Sequence, residues 1–342
     1  MTPDAADPVR APRGPLVTRR QAILAVGAGL ALGGGYVGSS YSGSITEARR
    51  RVAGVSETIP TPFGALEYAI AGNGPSLLMI HGTGGGFDQG LTFAEAIMRR
   101  GHRIISPSRF GYLRSAFPAD PSSENQADAF VRLLDHLGID RLPVAGGSAG
   151  ALSAAQFALR HPDRCSGLVL LVPAANVSGR DPVQMGPLQE SLVQGVVRSD
   201  FLYWSALEAA PERLVGTLLA TDPRLLAKVG ADERRRAYRI LRELMPISAR
   251  SRGMLNDGRL AGRPARMDFG RVTVPTLVVS VEDDRFGTAS TARDIASVVR
   301  GAKLVVYPSG GHIWLGHDGD VANEVKRFMA SIANGVRQKA AG

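Results

Sequence analysis

The chain has 342 residues, 44% of them hydrophobic, which suffices for one large α/β domain with an insertion or for two smaller domains. Its single cysteine, Cys165, excludes an internal disulfide and a cysteine-built metal site. The 40 Lys and Arg against 31 Asp and Glu leave a net charge of +9, but the basic residues are spread out and their densest runs, Arg49-Arg50-Arg51 and Arg234-Arg235-Arg236, are short and far apart, so the charge reads as a solvated surface with no nucleic-acid partner.

Residues 1–20 are polar and proline-rich and end in Thr18-Arg19-Arg20, after which no charge appears until Glu47. Two arginines ahead of a mild apolar run resemble a twin-arginine export signal, carried by Thr18-Arg19-Arg20-Gln21-Ala22-Ile23-Leu24. The apolar part, Ala22 to Val37, would be roughly 24 Å long as a helix, against about 30 Å for a bilayer core; it spans only if the Gly/Ser stretch to Ser44 joins it. Residues 1–52 are therefore expected to be an export signal or membrane anchor with its linker, with membrane association through residues 21–45 and a periplasmic or anchored location; a cytoplasmic chain is the alternative. No clean Ala-x-Ala site separates cleavage from retention. Gly27 to Gly33 imitates a dinucleotide fingerprint, but Gly34 and Gly35 would break the helix that must follow, so no cofactor is expected.

From Glu57 onward the pattern becomes globular. Leu66–Ala71 reads as a strand, Gly72-Asn73-Gly74-Pro75 as a turn, and Leu77–Ile80 as a buried parallel strand. That strand runs into His81-Gly82-Thr83-Gly84-Gly85-Gly86. The Lys-Ser/Thr pair of a phosphate loop is absent, and bare amides of this kind suit a developing oxyanion. A helix is expected over Leu91–Arg100 and a strand over Arg103–Ser106. Ser122 or Ser123 can cap a helix with Ala127, Phe130, Val131, Leu134 and Leu137 on one face, ended by Gly138.

Next comes Leu142-Pro143-Val144-Ala145-Gly146-Gly147-Ser148-Ala149-Gly150. This is G-x-S-x-G between a strand and a helix running to Arg160, the context of a nucleophile elbow, where Gly146 and Gly150 give a strained turn the room it needs. Leu168–Val172 is a further strand. The strand–helix alternation implies a mostly parallel sheet with helices on both faces. From Ala174 to Arg271 only helical patterns appear, over Leu188–Val197, Phe201–Ala210, Pro211–Ala220 and Glu233–Met245, as in a helical lid over the carboxyl edge of the sheet. Phe201, Tyr203, Trp204 and Met245 are expected mostly in the lid core, with a substrate-facing position as the alternative. Strands return at Pro275–Val281 and Lys303–Tyr307, flanking a helix over Ser290–Val299. Ser309-Gly310-Gly311-His312 and a closing helix over Val321–Ile332 complete the chain.

A serine, an acid and a histidine thus stand in that chain order, each where a strand gives way to a loop. With the elbow and the His81-Gly82 loop, this pattern resembles the α/β-hydrolase family over roughly residues 57 to 335. The resemblance implies Ser148 as nucleophile and His312 as general base, then acid. It also implies an acid three residues past a strand-end glycine; Val281 stands where that glycine would be, which points to Asp284 and leaves Asp283 open. The oxyanion hole would be the amides of Thr83 and Ala149, with Gly84 as a substitute for Thr83. Aspartate-dependent branches of the family are disfavoured by a serine at the elbow. The implied chemistry is hydrolysis of an ester or related acyl compound, with a small apolar or acyl molecule as partner. Carbon–carbon bond hydrolysis and cofactor-free perhydrolysis use the same triad, and a non-catalytic binding member of the fold is a separate class. His81 is expected to order its loop; His102, His136 and His161 to be surface or satisfied positions; and His317 to be structural or to line the pocket. No His/Asp spacing implies a metal. The expected organisation is 1–52 export segment, 53–173 and 272–342 hydrolase core, and 174–271 lid.

Overall fold

Continuous apolar runs become a sheet buried on both faces. The computed structural model describes residues 37–177 and 187–341. Two units divide the chain, Met1–Thr46 and Glu47–Gly342; residues 37–46 of the first are helical, and the sheet belongs to the second. There, a short helical stretch over residues 47–52 (α1) is followed by β1 (Glu57–Thr61), β2 (Gly64–Ala71), β3 (Ser76–Ile80), α2 (Phe87–Phe93), α3 (Glu95–Met98), β4 (Arg103–Pro107), α4 (Ser123–His136), β5 (Leu142–Gly147), α5 (Gly150–Arg160) and β6 (Cys165–Leu171). The helices α6 (Pro187–Arg198), α7 (Asp200–Ala209), α8 (Pro211–Thr217), α9 (Ala231–Glu243) and α10 (Ser251–Leu260) separate β6 from β7 (Thr276–Val281), and α11 (Thr288–Val298), β8 (Lys303–Tyr307) and α12 (Asp318–Ala341) close the chain.

The strands form one eight-stranded sheet in the order β1-β2-β4-β3-β5-β6-β7-β8. Only the β1–β2 and β2–β4 pairings are antiparallel. The remaining pairings are parallel, as the alternation of strands and helices in the sequence implies. Side chains alternate between two cores. Leu78 and Ile80 face one with Phe130, Leu134, Phe157 and Ile295 from α4, α5 and α11. Leu77 and Met79 face the other with Ile97, Val325 and Phe328 from α3 and α12.

Several boundaries differ from the sequence expectation, each for a local reason. The expected helix over Leu91–Arg100 starts earlier, at Phe87, and breaks at Ala94 (φ −96°, ψ 5°) into α2 and α3. β1 has no apolar run to announce it, because Ile59 is its one buried residue. Helix α10 carries Gly253, Asn256, Asp257 and Gly258, residues of poor helix propensity, and forms nonetheless around buried polar pairs. Of the four residues expected in the core of the 174–271 segment, Tyr203, Trp204 and Met245 are buried and Phe201 is exposed. The twin-arginine motif and residues 21–36 lie outside the described residues. No helix among the described residues is long and apolar enough to cross a membrane.

Candidate active site

Strand β5 delivers Ser148 into a positive-φ conformation (φ 52°), which costs a non-glycine residue about 1 kcal/mol or more. The turn is held on both sides: Ser148 N–H donates to Leu171 O at 2.9 Å, and Ser148 O accepts from Ala174 N at 3.2 Å. A Cβ on Gly150 would stand 2.4 Å from His81 O and 2.6 Å from Ile80 O. The elbow therefore packs directly onto the end of β3, and only glycine fits there.

At the end of β8 the chain turns through Gly310 (φ 136°) and Gly311 (φ 61°) and presents His312. A Cβ on Gly311 would meet Thr221 Oγ1 at 2.4 Å. The Gly311 amide donates to Asp283 Oδ1 at 2.8 Å. His312 Nδ1 lies 2.8 Å from Asp284 Oδ2, and His312 Nε2 lies 2.8 Å from Ser148 Oγ. Burial alone would raise the Asp284 carboxyl, but the charge and hydrogen bond of His312, with the Thr288 hydroxyl and the Phe286 amide, outweigh it and hold the group below the usual carboxylate value. An ionised Asp284 accepts only, so Nδ1 carries the proton and Nε2 is free to accept from the serine hydroxyl. Thr288 donates to Asp284 Oδ2; the Ser280 hydroxyl, 2.9 Å from Thr288 Oγ1, must then donate to Thr288. The Phe286 ring meets His312 edge to face at 4.8 Å between centroids.

The glycine loop after β3 lies against this elbow, with a Cβ on Gly82 falling 3.1 Å from Ser148 Cβ. His81 is fully buried. Its Nε2 accepts from Arg109 N at 2.9 Å, so Nδ1 is the protonated nitrogen and donates to Gly82 O at 2.7 Å. Burial and the neighbouring Arg109 push its pKa well below the ordinary imidazole value. These two bonds tie the start of the glycine loop to Arg109. The Gly84 amide donates to Tyr112 Oη at 3.3 Å, whereas among the described residues no hydrogen bond engages the amides of Thr83 and Ala149.

The other histidines are dispersed. His161 pairs with Asp128 at 2.6 Å. His317 stacks on Tyr307 at 4.3 Å and reaches Asp320 at 3.2 Å, a structural position. His102 is buried, and burial holds its pKa below the ordinary imidazole value against a backbone hydrogen bond with Ile97. Among those residues no cluster of three His, Cys, Asp or Glu could hold a metal ion.

The sequence reading missed the polar frame around this site. Arg109 binds Asp257 through two 2.6 Å contacts, and Arg250 binds Asp88 at 2.7 and 3.0 Å; all four are buried. From the insertion, Arg236 donates to Ile313 O at 3.0 Å, lies over the Trp314 ring at 5.2 Å, and pairs with Asp318 at 3.2 Å. Partners so distant in sequence leave no local pattern to read.

A family model described as alpha/beta hydrolase fold matches residues 75–316. The chain belongs to the α/β-hydrolase family. It is similar to the uncharacterized hydrolase YcgS of Bacillus subtilis, 28% identical over 79% of this chain and 95% of that one. It is also similar to a 2-hydroxy-6-oxononadienedioate/2-hydroxy-6-oxononatrienedioate hydrolase of Paraburkholderia xenovorans, at 29% over 72% and 84%. Among solved structures, an alpha/beta hydrolase fold protein from Nakamurella multipartita superposes with a TM-score of 0.64 at 27% identity, covering 80% of this chain and 98% of that one. The chain is a hydrolase of this fold.

Proposed function

We propose that the protein is a serine hydrolase that cleaves an ester or related acyl compound through an acyl-enzyme. The observation that carries this reading is the unbroken relay from Ser148 Oγ through His312 to Asp284, 2.8 Å at each step, on a serine held at positive φ. His312 Nε2 takes the hydroxyl proton as Oγ attacks the carbonyl carbon. The resulting oxyanion is met by the amides of Thr83 and Ala149. His312 then gives the proton to the leaving oxygen, the tetrahedral centre collapses to the acyl-enzyme, and water repeats the sequence to release the acid and regenerate Ser148. Residues 174–271 act as a lid, and Leu244, whose Cγ would lie 3.1 Å from a Cβ on Gly84, would contact the acyl side.

A second reading, hydrolysis of a carbon–carbon bond in an acyl compound such as an enolised diketone, is favoured by the similarity to the oxononadienedioate hydrolase. Labelling of Ser148 by a fluorophosphonate probe, with turnover of a nitrophenyl ester series, tests the proposal. Ser148→Ala should lose activity by about 10⁴ or more. An unlabelled wild type, or undiminished turnover in the variant, sinks the reading and leaves a binding member of the fold. Turnover of a ring-fission dienoate in preference to every ester would select the second reading, and ester perhydrolysis with peroxide outrunning hydrolysis would select the perhydrolase.

The export segment is part of the proposal. Replacing Arg19-Arg20 by Lys-Lys should trap the protein in the cytoplasm of its host; unchanged localisation on fractionation would count against a twin-arginine route.

A further inference from the structure

The glycine loop is fastened almost atom by atom by side chains from elsewhere. Arg109 donates from Nε to His81 O and from Nη2 to Gly82 O, both at 3.0 Å. Gln89 Oε1 accepts the Gly82 amide at 3.0 Å, and the Gly85 amide donates to Gly82 O at 3.3 Å. Tyr112 Oη accepts the Gly84 amide, and Arg250 donates to Gly85 O. Among the described residues the Thr83 amide, between these fastened neighbours, engages no hydrogen bond. The two arginines and the tyrosine are in turn fixed by carboxylates: Asp257 accepts both Arg109 terminal nitrogens and the Tyr112 hydroxyl, while Asp88 accepts Arg250 and also Arg51.

We propose that Arg250, just before α10, and Asp257, on α10, are positioning residues that set the Thr83 amide, so that the oxyanion hole is assembled only when this part of the insertion is docked. The proposal rests on the serine-hydrolase reading above. The chemistry of the frame favours a geometric role over a purely stabilising one. Well-packed apolar residues would stabilise this region at least as well as buried ion pairs do, whereas a bidentate arginine–carboxylate fork fixes direction. Arg109 is aimed by such a fork and donates two further hydrogen bonds to the two carbonyls that precede Thr83. The Tyr112 hydroxyl, bonded to Asp257 on one side and to the Gly84 amide on the other, fixes the peptide on the far side of Thr83. Catalysis by a hole of this kind depends on donors placed to within a fraction of an ångström.

The test compares the full-length wild type with Tyr112→Phe, Arg250→Lys and Asp257→Asn. Three experiments are run: steady-state kinetics giving kcat and KM on a nitrophenyl ester, inhibition by an alkylboronic acid that mimics the tetrahedral centre, and hydrogen–deuterium exchange of the peptide spanning residues 81–86. Tyr112→Phe and Arg250→Lys should lower kcat by about 10-fold and Asp257→Asn by about 100-fold, with KM nearly unchanged. Boronate affinity should fall by a similar factor, and exchange in residues 81–86 should accelerate. The shape of the kcat/KM pH profile should be unchanged, since the contacts from Ser148 to Asp284 are untouched. If Asp257→Asn does not fold, Tyr112→Phe, which deletes one oxygen, decides alone. Folded variants with wild-type kcat and boronate affinity, or losses confined to KM, overturn the proposal. If the wild type hydrolyses no ester, the functional reading has failed by itself; exchange still decides whether the frame holds the loop, and unchanged exchange overturns that.

Discussion

Asp283 and Asp284 grip successive residues of one loop: Asp283 Oδ1 accepts the backbone amide of Gly311 at 2.8 Å, and Asp284 Oδ2 lies 2.8 Å from Nδ1 of His312. The two adjacent carboxylates thus have separate tasks, one on the main chain and one on the imidazole. Asp284→Asn should lower kcat by on the order of 10⁴, because an amide at this point favours the wrong imidazole tautomer. Asp283→Asn keeps a carbonyl oxygen to accept the Gly311 amide and should cost less than about 10-fold. Steady-state kinetics on one ester compare the two, and equal losses would refute this division.

Thr288 is the partner of the acid on its other side. Thr288→Val removes the hydroxyl that donates to Asp284 Oδ2 and leaves Ser280 without its acceptor. A hydrogen bond to a charged group contributes about 1.5–3 kcal/mol, so kcat should fall by about 10-fold or more, with Thr288→Ser restoring most of it. Rescue by serine separates the hydroxyl from simple packing, because serine keeps the oxygen and loses the methyl group.

Glu243, at the end of α9, confers a pH dependence on stability. Burial pushes its carboxyl from the ordinary 4.5 up to about 7; the nearby Asp88 adds to this, while the Thr92 hydroxyl, Arg51 and Arg239 oppose it. A carboxyl raised on folding binds its proton more tightly in the native state, so its contribution is fully present below the ordinary value and is lost as pH rises through about 7. The melting temperature of Glu243→Gln should therefore exceed that of the wild type at pH 8, with the difference shrinking toward pH 5. A wild type whose advantage grows with pH would contradict this.

Asp284 acts with the opposite sign. Its folded value lies below the usual carboxylate range, chiefly because His312 outweighs the effect of burial. Its contribution is present above the unfolded carboxylate pKa of about 4 and disappears as pH falls through the folded value. Acid unfolding of the wild type should accordingly be steeper than that of Asp284→Asn, followed by near-UV circular dichroism between pH 5 and pH 2.

Gly150→Ala should be disruptive where most glycine-to-alanine changes in a helix stabilise. The added methyl group would need the space occupied by the carbonyl oxygens of Ile80 and His81, so the elbow or the end of β3 must move. Loss of stability of about 1–3 kcal/mol together with loss of turnover is expected, from chemical denaturation and ester assays on the same sample.

The contrast between what sequence reveals here and what it conceals follows from the range of each interaction. Leu77–Ile80 and Thr276–Val281 are strands buried along nearly their whole length, and such runs are visible one residue at a time. The elbow is legible because steric demands at Gly146 and Gly150 fall within five consecutive positions. The sequence does not choose between Asp283 and Asp284 because Val281 replaces the marking glycine, and only the three-dimensional turn gives the two carboxylates different partners. Arg109 and Asp257 are 148 residues apart and Arg250 and Asp88 162; nothing in the neighbourhood of either member foretells its partner. β1 and α10 escaped for a related reason, since each is held by what it pairs with and not by its own pattern.

Helix α9 reaches the histidine loop through Arg236 and Ile313 O, while Arg250, just before α10, grips the glycine loop through Gly85 O. The loop that carries His312 and the glycine loop after β3 are thus both anchored to the same inserted segment. Such a segment is not an interchangeable cap. Transplanting it between relatives to change substrate preference would carry away the fastenings of the chemistry along with the pocket, and a working chimera would have to import residues 81–88, Arg109, Tyr112 and residues 312–318 as one inheritance.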